Sequence, residues 1–309
     1  MHNARDNILC YTISMSQKLI AITSIILLGG WLYPEYAIAQ QIDAQTFQSR
    51  AGSVLILDES DSELASKNAD VVRPIASLTK LMTAMVLLDN GLDFSKTATY
   101  NPQKHYAYKN YMHIKRGEVF RVEDLWFGML IGSLNIETRM LVGAVGIPEP
   151  TFIDKMNIKA SVLGLEHTKF FNVTGLSADL VKGQRYENVS TARETAALFQ
   201  EALKYPQIAG ALSLPAYRFE EVVTKDKKKE HYFHHTNKLM QEALPYRIVA
   251  SKTGYTEEAG ACFVMYTTSR AGNHLIVSLG DPNYLQRFTE PKRLAEWALM
   301  RRWVQAAAR

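Results

Sequence analysis

The sequence contains few cysteines, little net charge and no hydrophobic run of the length that a transmembrane helix usually has. Cys10 and Cys262 are its only cysteines. We expect Cys10 to be removed with the N-terminal segment, which leaves no pair for an intramolecular disulfide. A net charge of +4 over 309 residues does not indicate a nucleic-acid partner or an acidic membrane surface. Because no tract is long or biased enough to predict disorder, and 47% of residues are hydrophobic, the chain should fold around a large core.

The N-terminal segment has the features of an export signal. An apolar run at residues 19–32 follows Lys18, and Ala37-Ile38-Ala39 has the small-x-small form of a signal-peptidase site. The sequence therefore predicts a signal peptide over residues 1–39 and export to the periplasm or cell envelope. An uncleaved anchor is the alternative, although the run is shorter than the about 20 apolar residues of a typical span. Met15 is an alternative start.

The order of hydrophobic patterns along the rest of the chain predicts an α+β fold. A strand hairpin is expected near the start of the mature chain, several helices follow, and four β-rich segments then precede an amphipathic final helix. Short turns between strands favour an antiparallel sheet. We expect one domain over residues 40–309, with the sheet flanked by helices beside a helical region. Cys262, in the strand-like run ACFVMY, is interpreted as a packing residue rather than a nucleophile.

The segment RPIASLTKLMTAMVLLD, residues 73–89, reads as a buried helix with one charged residue on its apolar side. Ser77 and Lys80 are three residues apart, so their side chains can meet on one helical face. Burying an unpaired lysine is costly unless it becomes neutral. A neutral lysine can act as a base and activate a serine nucleophile. Alone, S-x-x-K is weak evidence, because an exposed helical lysine is the more common outcome.

Two further short motifs lie downstream. Ser133 and Asn135 are at a turn between two predicted helices, where both side chains can point into a cleft, although helix caps look the same. Lys252 and Thr253 end a predicted strand, and Gly254 would let another segment approach that strand closely. A lysine there could hold a carboxylate, or simply face solvent at a hairpin.

Together the three motifs are specific. S-x-x-K, S-x-N and K-T-G occur in the order found in penicillin-binding proteins and β-lactamases, at a helix start, a turn and a strand. The sequence resembles the D-alanyl-D-alanine carboxypeptidase/endopeptidase family, the low-molecular-mass penicillin-binding serine peptidases. Segments such as VEDLWFGMLI, FFNVTGL, HHTNKLM and KTGYTEEAGACFVM extend the resemblance over about residues 50–300. It implies a β-lactamase/transpeptidase-like fold.

The resemblance also implies a function and its catalytic residues. The chain would be a serine-type D-Ala-D-Ala peptidase acting on peptidoglycan stem peptides, with β-lactams as inhibitors and no metal or cofactor. Ser77 would form the acyl-enzyme, Lys80 would take its proton, and Ser133 would relay a proton to the leaving amine with Lys252. The bond cleaved could be that of a carboxypeptidase or of a cross-link endopeptidase. The compact length, without a C-terminal β-domain or membrane anchor, favours the latter.

Four residues are implied to bind substrate. Asn135 would orient the substrate amide and Lys80, and Lys252 and Thr253 would hold the substrate, including any terminal carboxylate. The backbone N–H groups of Tyr255 and the nucleophile would form the oxyanion hole. The sequence departs from the usual family pattern on either side of Asn135, where Leu134 and Ile136 replace a small residue and an acid. This change is expected to reshape the cleft wall.

Three alternatives remain open. A β-lactamase of the same fold would need an acid to activate the deacylating water, and Glu166 is the nearest candidate in sequence. A non-catalytic wall-binding protein could have kept the fold. His231, His234 and His235 could indicate a metal, although no accompanying acid pattern is present.

Overall fold

The computed structural model describes residues 48–177, 186–220 and 229–307. The predicted signal peptide over residues 1–39 therefore lies outside the described residues. The strands are β1 (Ser53–Asp58), β2 (Glu63–Lys67), β3 (Arg73–Pro74), β4 (Thr97–Thr99), β5 (Val119–Arg121), β6 (Val189–Ser190), β7 (Ala216–Glu220), β8 (Glu230–His234), β9 (Arg247–Thr256), β10 (Gly260–Ser269) and β11 (Gly272–Asp281). The α-helices are α1 (Lys80–Asp89), α2 (Pro102–His105), α3 (Val122–Leu130), α4 (Asn135–Ala144), α5 (Glu149–Val162), α6 (Ala192–Leu203), α7 (Pro206–Leu212) and α8 (Thr289–Ala307).

An antiparallel sheet with the strand order β2-β1-β11-β10-β9 is the largest sheet among the described residues. The three C-terminal strands are each 10 residues long and form successive hairpins. The N-terminal hairpin joins them because β1 pairs with β11, with Ile56 opposite Ile276. The predicted antiparallel α+β arrangement is confirmed. Strand β9, which contains the K-T-G motif, lies at one edge of the sheet.

Helix α1 is at the centre of the hydrophobic core. Its residues from Lys80 to Leu87 are all buried, which is typical of a helix enclosed on every side. It contacts helices α3, α4, α5, α6 and α7. A single cluster of buried side chains connects these helices with the sheet. The position of α1 therefore fixes the turn before the helix, where Ser77 lies, between the sheet and the helical region.

Some local expectations were wrong in detail. Ser77 lies in a 3₁₀ turn over Ala76–Thr79, and the α-helix begins only at Lys80. In the sequence, Thr191 and Glu194 have the spacing of a capping box, and the Thr191 side chain indeed caps α6 by accepting from the Glu194 N–H at 3.0 Å. The Glu194 carboxylate does not complete the box, because it accepts from the backbone N–H of His167 instead.

The burial of Cys262 agrees with its interpretation as a packing residue. Cys262 is buried in β10, where burial raises the pKa of its thiol to about 12. The thiol is therefore protonated and is a packing group.

Within the described ranges, no helix has both the length and the hydrophobicity needed to cross a membrane.

Candidate active site

The turn that carries Ser77 has an uncommon backbone. Ala76 has a φ of 45°, which is unusual for a residue with a side chain. In a 3₁₀ turn the side chains at i and i+3 eclipse one another. This geometry brings Lys80 Nζ to 2.9 Å from Ser77 Oγ. The predicted contact between the two residues is present, although a tighter turn than an α-helix produces it.

Lys80 is completely buried, with 0% of its surface exposed. Besides Ser77, its Nζ contacts two oxygens that can only accept hydrogen bonds. Asn135 Oδ1 lies at 2.8 Å and the Thr174 carbonyl oxygen at 2.7 Å. A neutral amine has two N–H bonds and one lone pair. If the two N–H bonds point at these acceptors, the lone pair is left for the Ser77 hydroxyl proton.

Lys252 and Ser133 form a second lysine–serine pair. Lys252 is also 0% exposed, and its Nζ donates to Ser133 Oγ at 2.7 Å and to the Thr253 carbonyl at 2.9 Å. Ser133 has a φ of 57°, so the turn between α3 and α4 is left-handed at this residue. The Thr253 hydroxyl donates to Thr236 Oγ1 at 2.7 Å. The sequence did not identify Thr236, although it lies in the family-like segment HHTNKLM.

Two glycines allow the backbones around Ser77 to pack closely. A Cβ at Gly254 would lie 2.9 Å from the Ser77 nitrogen and 3.0 Å from the Ile75 carbonyl oxygen. A Cβ at Gly175, where φ is +81°, would lie 1.9 Å from the Ala76 carbonyl oxygen. Both contacts are with backbone atoms, which cannot rotate away. The close approach expected at Gly254 is therefore present, and the K-T-G strand packs against the turn that carries Ser77.

The Thr174 carbonyl is held in place by a local network. Asn172 Oδ1 accepts from the N–H of Thr174 at 3.0 Å and from the N–H of Gly175 at 2.7 Å. Asn188 Oδ1 accepts in turn from the N–H of Asn172, and its Nδ2 donates to Thr79 Oγ1 at 2.9 Å. Both asparagines are buried. The segment FFNVTGL thus supplies a carbonyl partner for Lys80 that the sequence did not reveal.

Electrostatics favour the neutral form of Lys80 and allow Lys252 to be charged or neutral near pH 7. Burial, and then the Lys252 charge, hold the pKa of Lys80 well below its usual value, while the Glu137 charge acts in the opposite direction. Burial lowers the pKa of Lys252 to about 7. Glu137, two residues after Asn135, is only 3% exposed, and burial raises its pKa to about 7. Glu137 is not apparent from the sequence, because it lies within an amphipathic helix and outside the three motifs.

The seven predicted site residues occupy different parts of this region. Six of them contribute the contacts described above: Ser77, Lys80, Ser133, Asn135, Lys252 and Thr253. The seventh, Tyr255, has a side chain that is 42% exposed and packs on Tyr284 with 4.4 Å between ring centroids. Its ring lies on the solvent side of β9, two residues after Thr253.

The residues of the alternative interpretations lie elsewhere. Glu166 is exposed in the turn after α5, and no hydrogen bond among the described residues joins it to Ser77 or Lys80. His235 is buried and structural, since its Nε2 lies 3.1 Å from the Ser251 carbonyl and its Nδ1 accepts from the Asn237 N–H. In the described part of the chain, no three His, Cys, Asp or Glu side chains are grouped so that they could hold a metal ion.

The antiparallel α+β fold and the Ser77–Lys80 pair define the class of active-site serine peptidases with the β-lactamase/transpeptidase fold. A family sequence model described as D-alanyl-D-alanine carboxypeptidase, peptidase S11, matches residues 39–283. The chain therefore belongs to this family, as the sequence resemblance predicted.

Individual proteins show the same relationship. The chain is 31% identical to a D-alanyl-D-alanine endopeptidase of Pseudomonas aeruginosa, over 82% of this chain and 77% of that protein. It is 29% identical to a D-alanyl-D-alanine endopeptidase of Escherichia coli, over 90% and 87% of the two chains. Penicillin-binding protein D2 of Listeria monocytogenes, solved in its cefotaxime-bound form, superposes with a TM-score of 0.67 at 28% identity, covering 82% of this chain and 98% of that one.

Proposed function

We propose that this protein is an exported serine peptidase that cleaves D-alanyl peptide bonds of peptidoglycan stem peptides through an acyl-enzyme at Ser77. The observation that carries the proposal is the pair of fully buried lysines, each within 2.9 Å of a serine hydroxyl. Burying an amine without an oppositely charged partner in contact with it is unfavourable, so a purely structural role would not account for these two lysines. The family membership and the similarity to a cefotaxime-bound penicillin-binding protein support the same substrate chemistry.

The proposed mechanism assigns the first proton transfer to Lys80. In its neutral form, Lys80 takes the Ser77 proton as Ser77 Oγ attacks the carbonyl carbon of the D-alanyl bond. Asn135 Oδ1 and the Thr174 carbonyl hold the two amine hydrogens and so orient the lone pair toward Ser77. Backbone N–H groups of Ser77 and Tyr255 stabilise the developing oxyanion, at about 3 kcal/mol for each donor in comparable hydrolases.

The second half of the mechanism uses the Lys252–Ser133 pair. Ser133 gives its proton to the leaving amine and takes one from protonated Lys252, whose Nζ lies 2.7 Å away. The proton that Lys80 took from Ser77 then restores Lys252, so Lys80 is neutral again when water attacks the acyl-enzyme. Lys252 and Thr253 also bind the carboxylate side of the substrate. Water then hydrolyses the acyl-enzyme. A β-lactam would acylate Ser77 in the same way and remain attached because its ring nitrogen cannot leave.

Of the two peptidase activities, we propose cross-link endopeptidase. The named endopeptidases from three Gram-negative species align over 77%, 87% and 82% of their own length. The Escherichia coli carboxypeptidase DacA aligns over 61% of its length at 28% identity. The carboxypeptidase DacB2 of Mycobacterium tuberculosis is covered over 75% of its length at 28% identity, so coverage favours the endopeptidases only slightly. The predicted signal peptide over residues 1–39 supports a place in the periplasm or cell envelope, and N-terminal sequencing of the protein from an envelope fraction would test the cleavage after Ala39.

Digestion of purified cross-linked muropeptides, followed by mass analysis, tests the proposed activity. Conversion of dimers into monomers is the result expected for an endopeptidase, and loss of a single alanine would instead show a carboxypeptidase. The Ser77→Ala variant is the control and should do neither. No change in any muropeptide would refute the peptidase proposal. Fast, repeated nitrocefin turnover would favour a β-lactamase.

A further inference from the structure

A cavity of about 650 Å³ lies beside helix α4, apart from the serine–lysine cluster. Its lining includes the cationic side chains of Lys104, Arg116 and Arg139. None of the six residues that form the serine–lysine cluster lines this cavity. Its volume is in the range of small-molecule binding sites. We call it the α4 cavity.

Arg139 has hydrogen-bonding capacity that the protein leaves unused. Its Nη1 donates to the Tyr106 carbonyl at 2.5 Å, and its Nη2 lies 3.5 Å from Glu149 Oε1. That second distance is long for a charge-assisted hydrogen bond, which is typically about 2.7–2.9 Å. Its Nε is buried and has no partner among the described residues. Because Nη2 makes only the long contact to Glu149, it can also donate to an acceptor on a ligand.

The charge of the α4 cavity is not balanced by its own side chains. Glu149 is the only acid among the lining residues, against three cations. Lys104 and Arg116 form no ion pair among the described residues, and both are exposed. The lining therefore has a net charge of +2 when these groups carry their usual charges. Because like charges confined in a cavity repel, a bound anion would lower the electrostatic energy.

His105 adds a neutral donor to this lining. The Asn101 backbone N–H donates to its Nδ1 at 3.1 Å, so the neutral ring has its proton on Nε2. Burial, and then the charges of Lys104 and Arg139, lower the pKa of His105 and keep the ring neutral. Its Nε2 lies 3.1 Å from the position that a Cβ of Gly143 would occupy. The absence of a side chain at Gly143 thus leaves room for the ring at the cavity wall.

From these observations, we propose that the α4 cavity is a second binding site that takes a small ligand with an oxyanion group, a carboxylate or a phosphate. Arg139 Nη2, held only loosely by Glu149, would donate to the ligand, while Lys104 and Arg116 would supply the opposing charge. Two sources share this chemistry: a carboxylate-bearing wall fragment and free phosphate. The site would work independently of the peptidase reaction, since it shares no side chain with the serine–lysine cluster.

Isothermal titration calorimetry of the full chain with two probes tests this proposal. The probes are inorganic phosphate and a muramoyl dipeptide, which has carboxylates but no D-Ala-D-Ala. The binding-site variant is Lys104→Ala/Arg116→Ala. The control variant is Lys169→Ala/Lys204→Ala, which removes the same charge from two exposed lysines outside the cavity. Each titration is repeated on protein that has been acylated with benzylpenicillin.

We expect at least one probe to bind with one-to-one stoichiometry, and the binding-site variant to weaken it about tenfold or more. The control variant and the acylated protein should bind as the parent does. Binding of the dipeptide identifies a wall fragment, and binding of phosphate alone identifies a phosphate ligand. The proposal is wrong if neither probe binds, if both double variants weaken binding equally, or if acylation abolishes it, since that last result places the ligand at Ser77. Penicillin labelling of the binding-site variant should remain at the parental level, which separates this outcome from a failure of the peptidase proposal.

Discussion

Replacement of Glu137 by glutamine should stabilise the protein more at pH 8 than at pH 5. Glu137 is 3% exposed in the first turn of α4. Its stem packs against Gly128 of α3, where an added Cβ would lie 3.5 Å from Glu137 Cγ. Burial raises the pKa of this carboxyl, and the hydrogen bond with its own backbone N–H and the Lys80 charge offset only part of that rise. Glutamine has the same shape and stays neutral at every pH.

The size of the effect follows from the pKa of Glu137 in the folded and unfolded protein. Burial raises this pKa from 4.5 to about 7. Because the folded pKa is the higher one, the stability that the protonated carboxyl provides is fully present below pH 4.5 and is lost as the pH rises through about 7. With about 1.4 kcal/mol for each pH unit between the two values, the loss is at most ~3.5 kcal/mol. The Glu137→Gln variant should not show this loss.

Urea unfolding of the parent and of Glu137→Gln between pH 5 and pH 8 measures the difference directly. Glu123→Gln is the matched control, because Glu123 is also in the first turn of a helix but is exposed. The control should differ from the parent by no more than about 0.5 kcal/mol at any pH. A difference between Glu137→Gln and the parent that is the same at pH 5 and pH 8 would show that Glu137 does not titrate in a buried site.

The pH dependence of acylation gives a second measurement of the effect of the Glu137 charge. The Glu137 carboxylate raises the pKa of Lys80, so its removal should lower that pKa further. Since the proposed mechanism requires neutral Lys80, the acid limb of the rate of acylation by a fluorescent penicillin should move to lower pH. Unchanged or opposite movement of this limb would contradict the electrostatic coupling between the two residues.

Three other substitutions test the geometry around Ser77. Lys80→Ala should slow acylation by about 10³-fold. Its circular dichroism spectrum should match that of the parent, which shows that the variant is folded. Acylation at the parental rate would exclude Lys80 as the base. Gly254→Ala should destabilise by about 1–3 kcal/mol and impair penicillin labelling, because the new Cβ meets the Ser77 backbone. Gly210→Ala, a helical site with open space, is its control and should be neutral or stabilising in thermal unfolding. Asn172→Ala should cost about 1–3 kcal/mol and slow acylation, whereas an unchanged rate would show that the Thr174 carbonyl needs no such support.

The sequence predicted those parts of the site whose contacts are local. Ser77 and Lys80 are three residues apart, so any helical turn brings them together, and the apolar spacing around them predicted burial. The sequence did not distinguish a 3₁₀ turn from an α-helix at Ser77, because that depends on the glycines packed against the turn. Glu194 illustrates the same limit, since its carboxylate had a local partner in the capping box and bonded instead to His167.

The sequence predicted contacts between distant residues only where the order of the three motifs matched that of a known family. Lys252 and Ser133 are 119 positions apart, and their pairing was an implication of family resemblance. Thr174 is 94 positions from Lys80 and belongs to none of the three motifs, so its carbonyl could not be assigned. The α4 cavity likewise combines residues from several segments. Its charge imbalance is visible only when Lys104, Arg116 and Arg139 are placed together.

The sequence by itself determined the class of fold, the order of its elements and the contact between Ser77 and Lys80, because hydrophobic periodicity and i, i+3 spacing are local properties. Tertiary structure decided which oxygens surround Lys80, how closely the K-T-G strand approaches Ser77, and that Glu137 lies buried in the helix of Asn135. Those features depend on backbones that are distant in the chain meeting at Gly175 and Gly254, and on the exclusion of water from the space between them. The low pKa of Lys80 is a consequence of that exclusion, which no single segment could produce.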